Sequence, residues 1–164
     1  MSGSCDRSKR LVQAKDNGAI MTGLLLIAHA PLASALREVA QHTFPNCQPQ
    51  LVVLDVTPEM SVEDVEARAR VLVTAAGFAD TLVLTDVFGA TPCNAAQRLQ
   101  EHSAGHVRVV SGVNVPMLWR SLCYAAEPLD ALAERAREGG SRGIVPSESA
   151  RAVCAAVASS HPSA

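Results

Sequence analysis

The chain has 164 residues, a length that fits one domain with an ordinary core. Apolar residues make up 48% of it but aromatics only 3%, so Ala, Val and Leu must fill the interior, as in helices packed on a parallel sheet. A formal net charge of −2 without a basic stripe points away from nucleic acid and anionic membranes, and no apolar run is long enough to span a bilayer.

Residues 1–20 are polar and lack the apolar core of a signal peptide. They read as a disordered leader or as sequence upstream of the real start, since Met21 stands just before the first strand. Gly23 to Ala28 (GLLLIA) is a continuous apolar run that fits a buried strand. It ends at His29, and Pro31 follows at a helix start, where its missing N–H is harmless. Leu32, Leu36, Val39 and Ala40 recur at helical spacing, and Pro45 stops that helix near Phe44.

Gln50 to Val56 (QLVVLDV) is a second strand, ended by Thr57-Pro58. Ser61 with Asp64 makes a capping-box pattern. Val62, Val65, Ala69, Leu72 and Val73 form the apolar face of the next helix, which ends at Gly77. Asp80 to Asp86 (DTLVLTD) is the third strand, followed by the loop Val87-Phe88-Gly89-Ala90. Thr91 is the expected N-cap, with Pro92 at N1, of a helix to about Glu101.

His106 to Ser111 (HVRVVS) is the fourth strand, and Gly112-Val113-Asn114 leads to a helix opening at Pro116 and running to about Tyr124. After Pro128 a helix from Leu129 to Glu138 is expected to end at Gly139-Gly140. A short apolar piece, Ile144-Val145, and a last helix at 147–158 complete a single domain over 21–158, with 159–164 as a tail. The five cysteines, Cys5, Cys47, Cys93, Cys123 and Cys154, are scattered with no CxxC pair. They read as reduced thiols of a cytoplasmic protein and offer no metal-ligand spacing.

Strands of buried type alternating with helices indicate an α/β fold, a doubly wound parallel sheet of order 2-1-3-4. In that flavodoxin-like order the first and third strands are neighbours whose helices leave to opposite faces, and ligands bind beyond their carboxyl ends. His29 and Asp86 both fall there. A lone His or Asp at a strand end is usually structural; their joint position raises these two. Helices opening at Pro31, Pro92 and Pro116 point unpaired N–H groups at the same place, Gly89 lets the backbone approach a ligand, and Thr91 adds a hydroxyl. Neutral imidazole is a good nucleophile near neutral pH, and a carboxylate on its other nitrogen fixes the tautomer. Phosphoryl transfer asks for positioning and charge stabilisation of this kind. His42, His102, His106 and His161 read as surface residues, and the Arg68–Arg70 and Arg135–Arg137 stretches as solvated faces.

The stretch LLLIAHAPLASAL resembles the strand and helix around the phosphorylated histidine of mannose-family IIA components of the phosphotransferase system. LVLTDVFGATPCNAA resembles that family's third strand and loop, and VVSGVNVPMLWRSL its G-V-N-x-P-M-L motif. The match runs from about residue 21 to 145, with the three motifs in family order. The resemblance implies that His29 accepts a phosphoryl group from the phosphocarrier HPr and passes it to a IIB partner, with Asp86 as carboxylate partner. It implies a phosphate site lined by groups of Ala30, Gly89, Ala90, Thr91 and Asn114; neither metal nor cofactor is expected, since the sequence has no ligand-spaced His or Cys cluster. It also implies a homodimer in which a strand near Gly143–Pro146 crosses to the other subunit. The family usually has Thr or Ser before the histidine and Gly after it. Ala28 and Ala30 stand there in this chain, removing a hydroxyl and stiffening the loop.

Three other readings share the pattern. One is the phosphoryl donor subunit of dihydroxyacetone kinase, against which GATPCNAA and GVNVPML speak. Another is a regulatory adaptor that has lost transfer. The third is an unrelated flavodoxin-like domain for a small anion, with His29 dispensable.

Overall fold

The structure, a computed structural model, describes residues 21–45 and 50–146. The expected leader over 1–20, the last helix at 147–158 and the tail at 159–164 lie outside the described residues. Four parallel strands, β1 (Gly23–His29), β2 (Leu51–Val56), β3 (Thr81–Thr85) and β4 (Val107–Ser111), form one sheet in the order β2-β1-β3-β4. This is the α/β architecture and strand order expected from the sequence. Five helices accompany them: α1 (Leu32–Thr43), α2 (Val62–Ala76), α3 (Thr91–Glu101), α4 (Val115–Cys123) and α5 (Leu129–Arg142).

Both faces of the sheet are covered, and alternation along the strands assigns each residue to a face. Leu24, Leu26 and Ala28 of β1 pack with Leu82 and Leu84 of β3 against α1, α4 and α5, through Ala33, Leu36, Leu118, Leu122 and Leu132. Leu25, Ile27 and Val83 pack on the other face against α2 and α3, through Val65, Ala69, Ala95, Ala96 and Leu99. Each fully buried Leu or Ile contributes about 1.5–3 kcal/mol. The helix after β1 and the helix after β3 thus lie on opposite faces, which puts the switch point between these two strands.

The elements begin and end where local chemistry directs. The capping box forms as expected: Ser61 Oγ accepts from the Asp64 amide at 3.1 Å, and Asp64 Oδ2 accepts from the Ser61 amide at 3.2 Å. The α2 helix closes on Gly77 in the left-handed conformation (φ +68°).

Helix α5 departs from expectation by running through Gly139-Gly140 to Arg142. The glycines serve close packing instead of termination. A Cβ on Gly139 would sit 2.7 Å from Arg120 Cβ and 3.4 Å from the Pro116 carbonyl oxygen, both on α4. Gly139→Ala therefore sets two effects against each other. Helix propensity favours the alanine by at most about 1 kcal/mol, while overpacking a tight contact costs about 1–3 kcal/mol. Net destabilisation is expected, read as a lower urea midpoint with unchanged m; a midpoint at or above wild type would contradict it.

Candidate functional site

Two strand ends make the site. The β1–β3 register pairs Ile27 with Thr85, so His29 and Asp86 stand just beyond the last paired residues of neighbouring strands. Asp86 Oδ2 accepts from the His29 amide at 2.9 Å and lies 2.7 Å from His29 Nδ1. Its other oxygen accepts from the Val87 amide at 2.8 Å. An ionised carboxylate only accepts, so Nδ1 carries the ring proton. Nε2 keeps its lone pair, with no hydrogen-bond partner among the described residues.

Exposure divides the pair. The Asp86 side chain is 10% exposed and that of His29 is 53% exposed. Burial pushes the Asp86 carboxyl up, but the amides of His29 and Val87 and the His29 ring outweigh it and hold the group below the usual carboxylate range. The result is a fixed anion beneath an accessible imidazole.

The surroundings are locked from below. Gly112 donates to the Thr85 and Asp86 carbonyls at 2.9 and 3.0 Å, and Val113 donates to Thr85 at 2.9 Å, which ties the end of β4 to the end of β3. Thr85 Oγ1 donates to Ser111 Oγ at 2.9 Å, and the buried Cys93 thiol lies 3.2 Å from the same hydroxyl. In the loop after Asp86, Gly89 takes φ +82°, and Asn94 Nδ2 donates to its carbonyl at 3.0 Å.

The anion cradle is narrower than the three helix starts expected from the sequence. Helix α1 opens after Pro31, which provides no side-chain cap, yet the Ser34 amide is taken by Asp55 Oδ1 at 3.1 Å. Helix α4 is capped by Asn114, whose Oδ1 accepts from the Met117 amide at 2.9 Å. Its Nδ2 donates to the Gly140 carbonyl at 3.1 Å, so both ends of the Asn114 side chain are engaged within the fold. Of the three, only the first turn of α3 takes no side-chain acceptor. Its N-cap is Ala90, not Thr91 as expected, and no side chain bonds there. The shift places Thr91 at N1 and Pro92 at N2, a first-turn position that proline also tolerates. The Thr91 hydroxyl and the Phe88, Gly89 and Thr91 amides have no partner among the described residues. An unsatisfied helix N-terminus beside an accessible imidazole suits an anion carried on that imidazole.

Ala30 is exposed, and its amide donates to the Val56 carbonyl at 2.9 Å, so that amide is committed to β2. Ala28 is fully buried among Leu24, Leu26 and Ala33, facing the core under α1. A hydroxyl at that position would stand in the core, away from a phosphate.

His102 and His106 also set Nδ1 against carboxylates, Glu66 at 3.0 Å and Asp80 at 2.8 Å. They differ in setting. Both lie at the amino-terminal end of the sheet, beside a cavity of about 230 Å³ lined by Arg70, Thr74, Phe78, Ser103 and the two histidines. His29 stands on an open rim instead. An enclosing pocket suits a small ligand; a rim suits a group handed from one protein to another. Among the described residues, no group of three or more His, Cys, Asp and Glu side chains is arranged to hold a metal ion, and no helix is long and apolar enough to cross a membrane.

Neither Asn94 nor the Asp55–Ser34 pair stands out in the sequence. The one available signal was Asp55 itself, a charge inside an otherwise apolar strand.

Residues 23–136 match the family model described as the PTS system fructose IIA component. The sorbose-specific EIIA component of Lacticaseibacillus casei is 30% identical over 98 residues, covering 58% of this chain and 67% of that protein. Among solved structures, the EIIA component from Streptococcus agalactiae superposes with a TM-score of 0.72 at 26% identity, covering 79% of this chain and 99% of that one. The mannose/sorbose-specific IIA subunit from Enterococcus faecalis superposes with a TM-score of 0.70 at 25% identity, covering 77% and 94%.

Proposed function

Since the chain belongs to the mannose-type IIA family of the phosphotransferase system, we propose that it is a phosphoryl carrier whose acceptor is Nε2 of His29. The supporting observation is the clamp on the other nitrogen. Asp86 holds Nδ1–H at 2.7 Å, which fixes the tautomer that leaves Nε2 nucleophilic. Phospho-HPr is the donor and a IIB component the acceptor, in a cytoplasmic relay serving sugar uptake or its regulation.

In the transfer step the Nε2 lone pair attacks phosphorus, the N–P bond forms, and the bond from phosphorus to the donor breaks with its electron pair leaving on the donor. The ring gains positive character as the bond forms. Asp86, already ionised and only partly exposed, stabilises it without reorganising. The Nδ1 proton stays between ring and carboxylate throughout. In this reading the free amides of Gly89 and Thr91, the Thr91 hydroxyl and backbone groups of Ala90 and Asn114 receive the phosphoryl oxygens. Passing the group to IIB is the same step in reverse.

Two exposed apolar side chains, Val87 and Phe88 (76% exposed), lie in the loop that carries these amides. They give a partner protein an apolar contact beside the reacting nitrogen. The test is transfer in a purified relay of phosphoenolpyruvate, enzyme I and HPr, with the adduct read by intact mass. An acid-labile phosphoryl adduct is expected; no adduct beside fully charged HPr would favour the adaptor reading.

We also propose a homodimer built through the segment after α5. Ile144 and Val145 are 75% and 60% exposed and have no strand partner among the described residues, while β4 presents an open sheet edge. Sedimentation equilibrium is expected to give a dimer that Ile144→Asp shifts to monomer; a monomeric wild type at high concentration would contradict this.

A further inference from the structure

We propose that Asp55, acting through Ser34, is a positioning residue that holds the His29 turn in register for transfer; the proposal rests on the carrier reading above. Only Ala30 and Pro31 separate His29 from α1, so the placement of the imidazole depends on how that helix start is anchored. On the β3 side Asp86 holds the His29 amide and ring. On the β2 side the Ala30 amide donates to the Val56 carbonyl at 2.9 Å, and the Asp55 carboxylate takes both the Ser34 amide, at 3.1 Å, and the Ser34 hydroxyl.

Asp55 is the register partner of Ala28, the residue immediately before the histidine. It therefore ties the strand just before His29 to the helix just after it and closes the turn into a loop with fixed ends. Pro31, at the N-cap, has no side-chain acceptor, so the amide at the third helical position would otherwise be orphaned.

The carboxylate has an electrostatic consequence as well. A negative charge on the first turn of α1 cancels the positive end of that helix. The open first turn of α3 then remains the favoured place for phosphoryl oxygens. Asp55 thus biases the phosphoryl group toward the Gly89–Thr91 side while keeping the imidazole aimed there.

An ordinary helix cap and a positioning residue give different results. A cap changes stability and leaves the transfer rate per folded molecule alone. A positioning residue changes kcat, because in-line displacement is sensitive to small misplacements. Steady-state transfer from phospho-HPr should be measured on full-length wild type, Ser34→Ala, Ser34→Thr and Asp55→Ala. In parallel, Ala30 amide exchange is followed by NMR in the uncharged proteins. The expected result is a roughly tenfold fall in kcat for Ser34→Ala and Asp55→Ala with KM within about twofold of wild type. Ser34→Thr, which keeps the hydroxyl, recovers the rate, and Ala30 exchanges faster in Ser34→Ala. Full kcat in either alanine variant overturns the proposal, as does Ser34→Thr performing no better than Ser34→Ala. If the wild type takes no phosphate, the carrier reading falls by itself, and unchanged Ala30 protection in Ser34→Ala then overturns the clamp.

Discussion

His29→Ala is expected to fold like the wild type and to take up no phosphoryl group. The side chain is 53% exposed, so its removal opens no core cavity. The Asp86 carboxylate loses one contact but keeps the His29 and Val87 amides, which the substitution leaves in place. Losing the ring's bond to the carboxylate costs about 1.5–3 kcal/mol at most, less than the stability of an ordinary domain, about 5–15 kcal/mol. The chemistry is lost outright, since no neighbouring side chain can supply the lone pair. His102 and His106 serve as internal controls, because each also has a carboxylate on Nδ1. Label persisting at full level on His29→Ala would move the acceptor elsewhere.

Asp86→Asn has the second largest expected effect, a fall in transfer of roughly 10²- to 10⁴-fold, the span by which a positioned acid–base group or its orienting carboxylate changes rates. The hydrogen-bond inventory forces the loss. Asp86 faces three donors: Oδ2 takes the His29 amide and Nδ1–H, and Oδ1 takes the Val87 amide. An asparagine has one oxygen. If that oxygen serves Val87, the amide NH₂ meets the ring and drives the proton to Nε2, removing the nucleophile. If it serves His29, two N–H donors face each other at Val87. In both cases the charge that steadies the ring during attack is gone. A transfer rate within about twofold of wild type would take Asp86 out of the mechanism.

The same substitution has a signature in stability. The folded-state carboxyl of Asp86 is held below its ordinary value. Its contribution is fully present above the unfolded carboxyl value of about 3.9 and is lost as pH falls through the lower folded value. Urea midpoints measured across that acid range should fall less steeply for Asp86→Asn than for wild type. Parallel curves would mean that Asp86 is not the group responsible.

Where local chemistry decides an element, the sequence was a good guide. The apolar runs of β1 and β3 ended at His29 and just before Asp86, and strand order alone then brought those residues together. Ser61 with Asp64 announced α2 through a bond pattern local to four residues. The misses share another cause: contacts made across the fold. Gly139-Gly140 looked like a stop because nothing local shows that Arg120 and Met117 of α4 need the missing Cβ atoms. Thr91 looked like an N-cap, yet the cap falls on Ala90 and leaves the hydroxyl for other use. Ala28 looked like a lost phosphate contact, and only the packing of α1 shows that it faces the core. Asp55 sits far in sequence from the helix it caps, so no window of residues could have paired it with Ser34.

The most direct test is to charge the isotopically labelled protein through phospho-HPr and locate the phosphoryl group by nitrogen–phosphorus coupling in the histidine rings. Coupling to Nε2 of His29 alone is the expected result. Coupling to Nδ1 of His29, which Asp86 is held to occupy, or to any nitrogen of another histidine, would contradict the account.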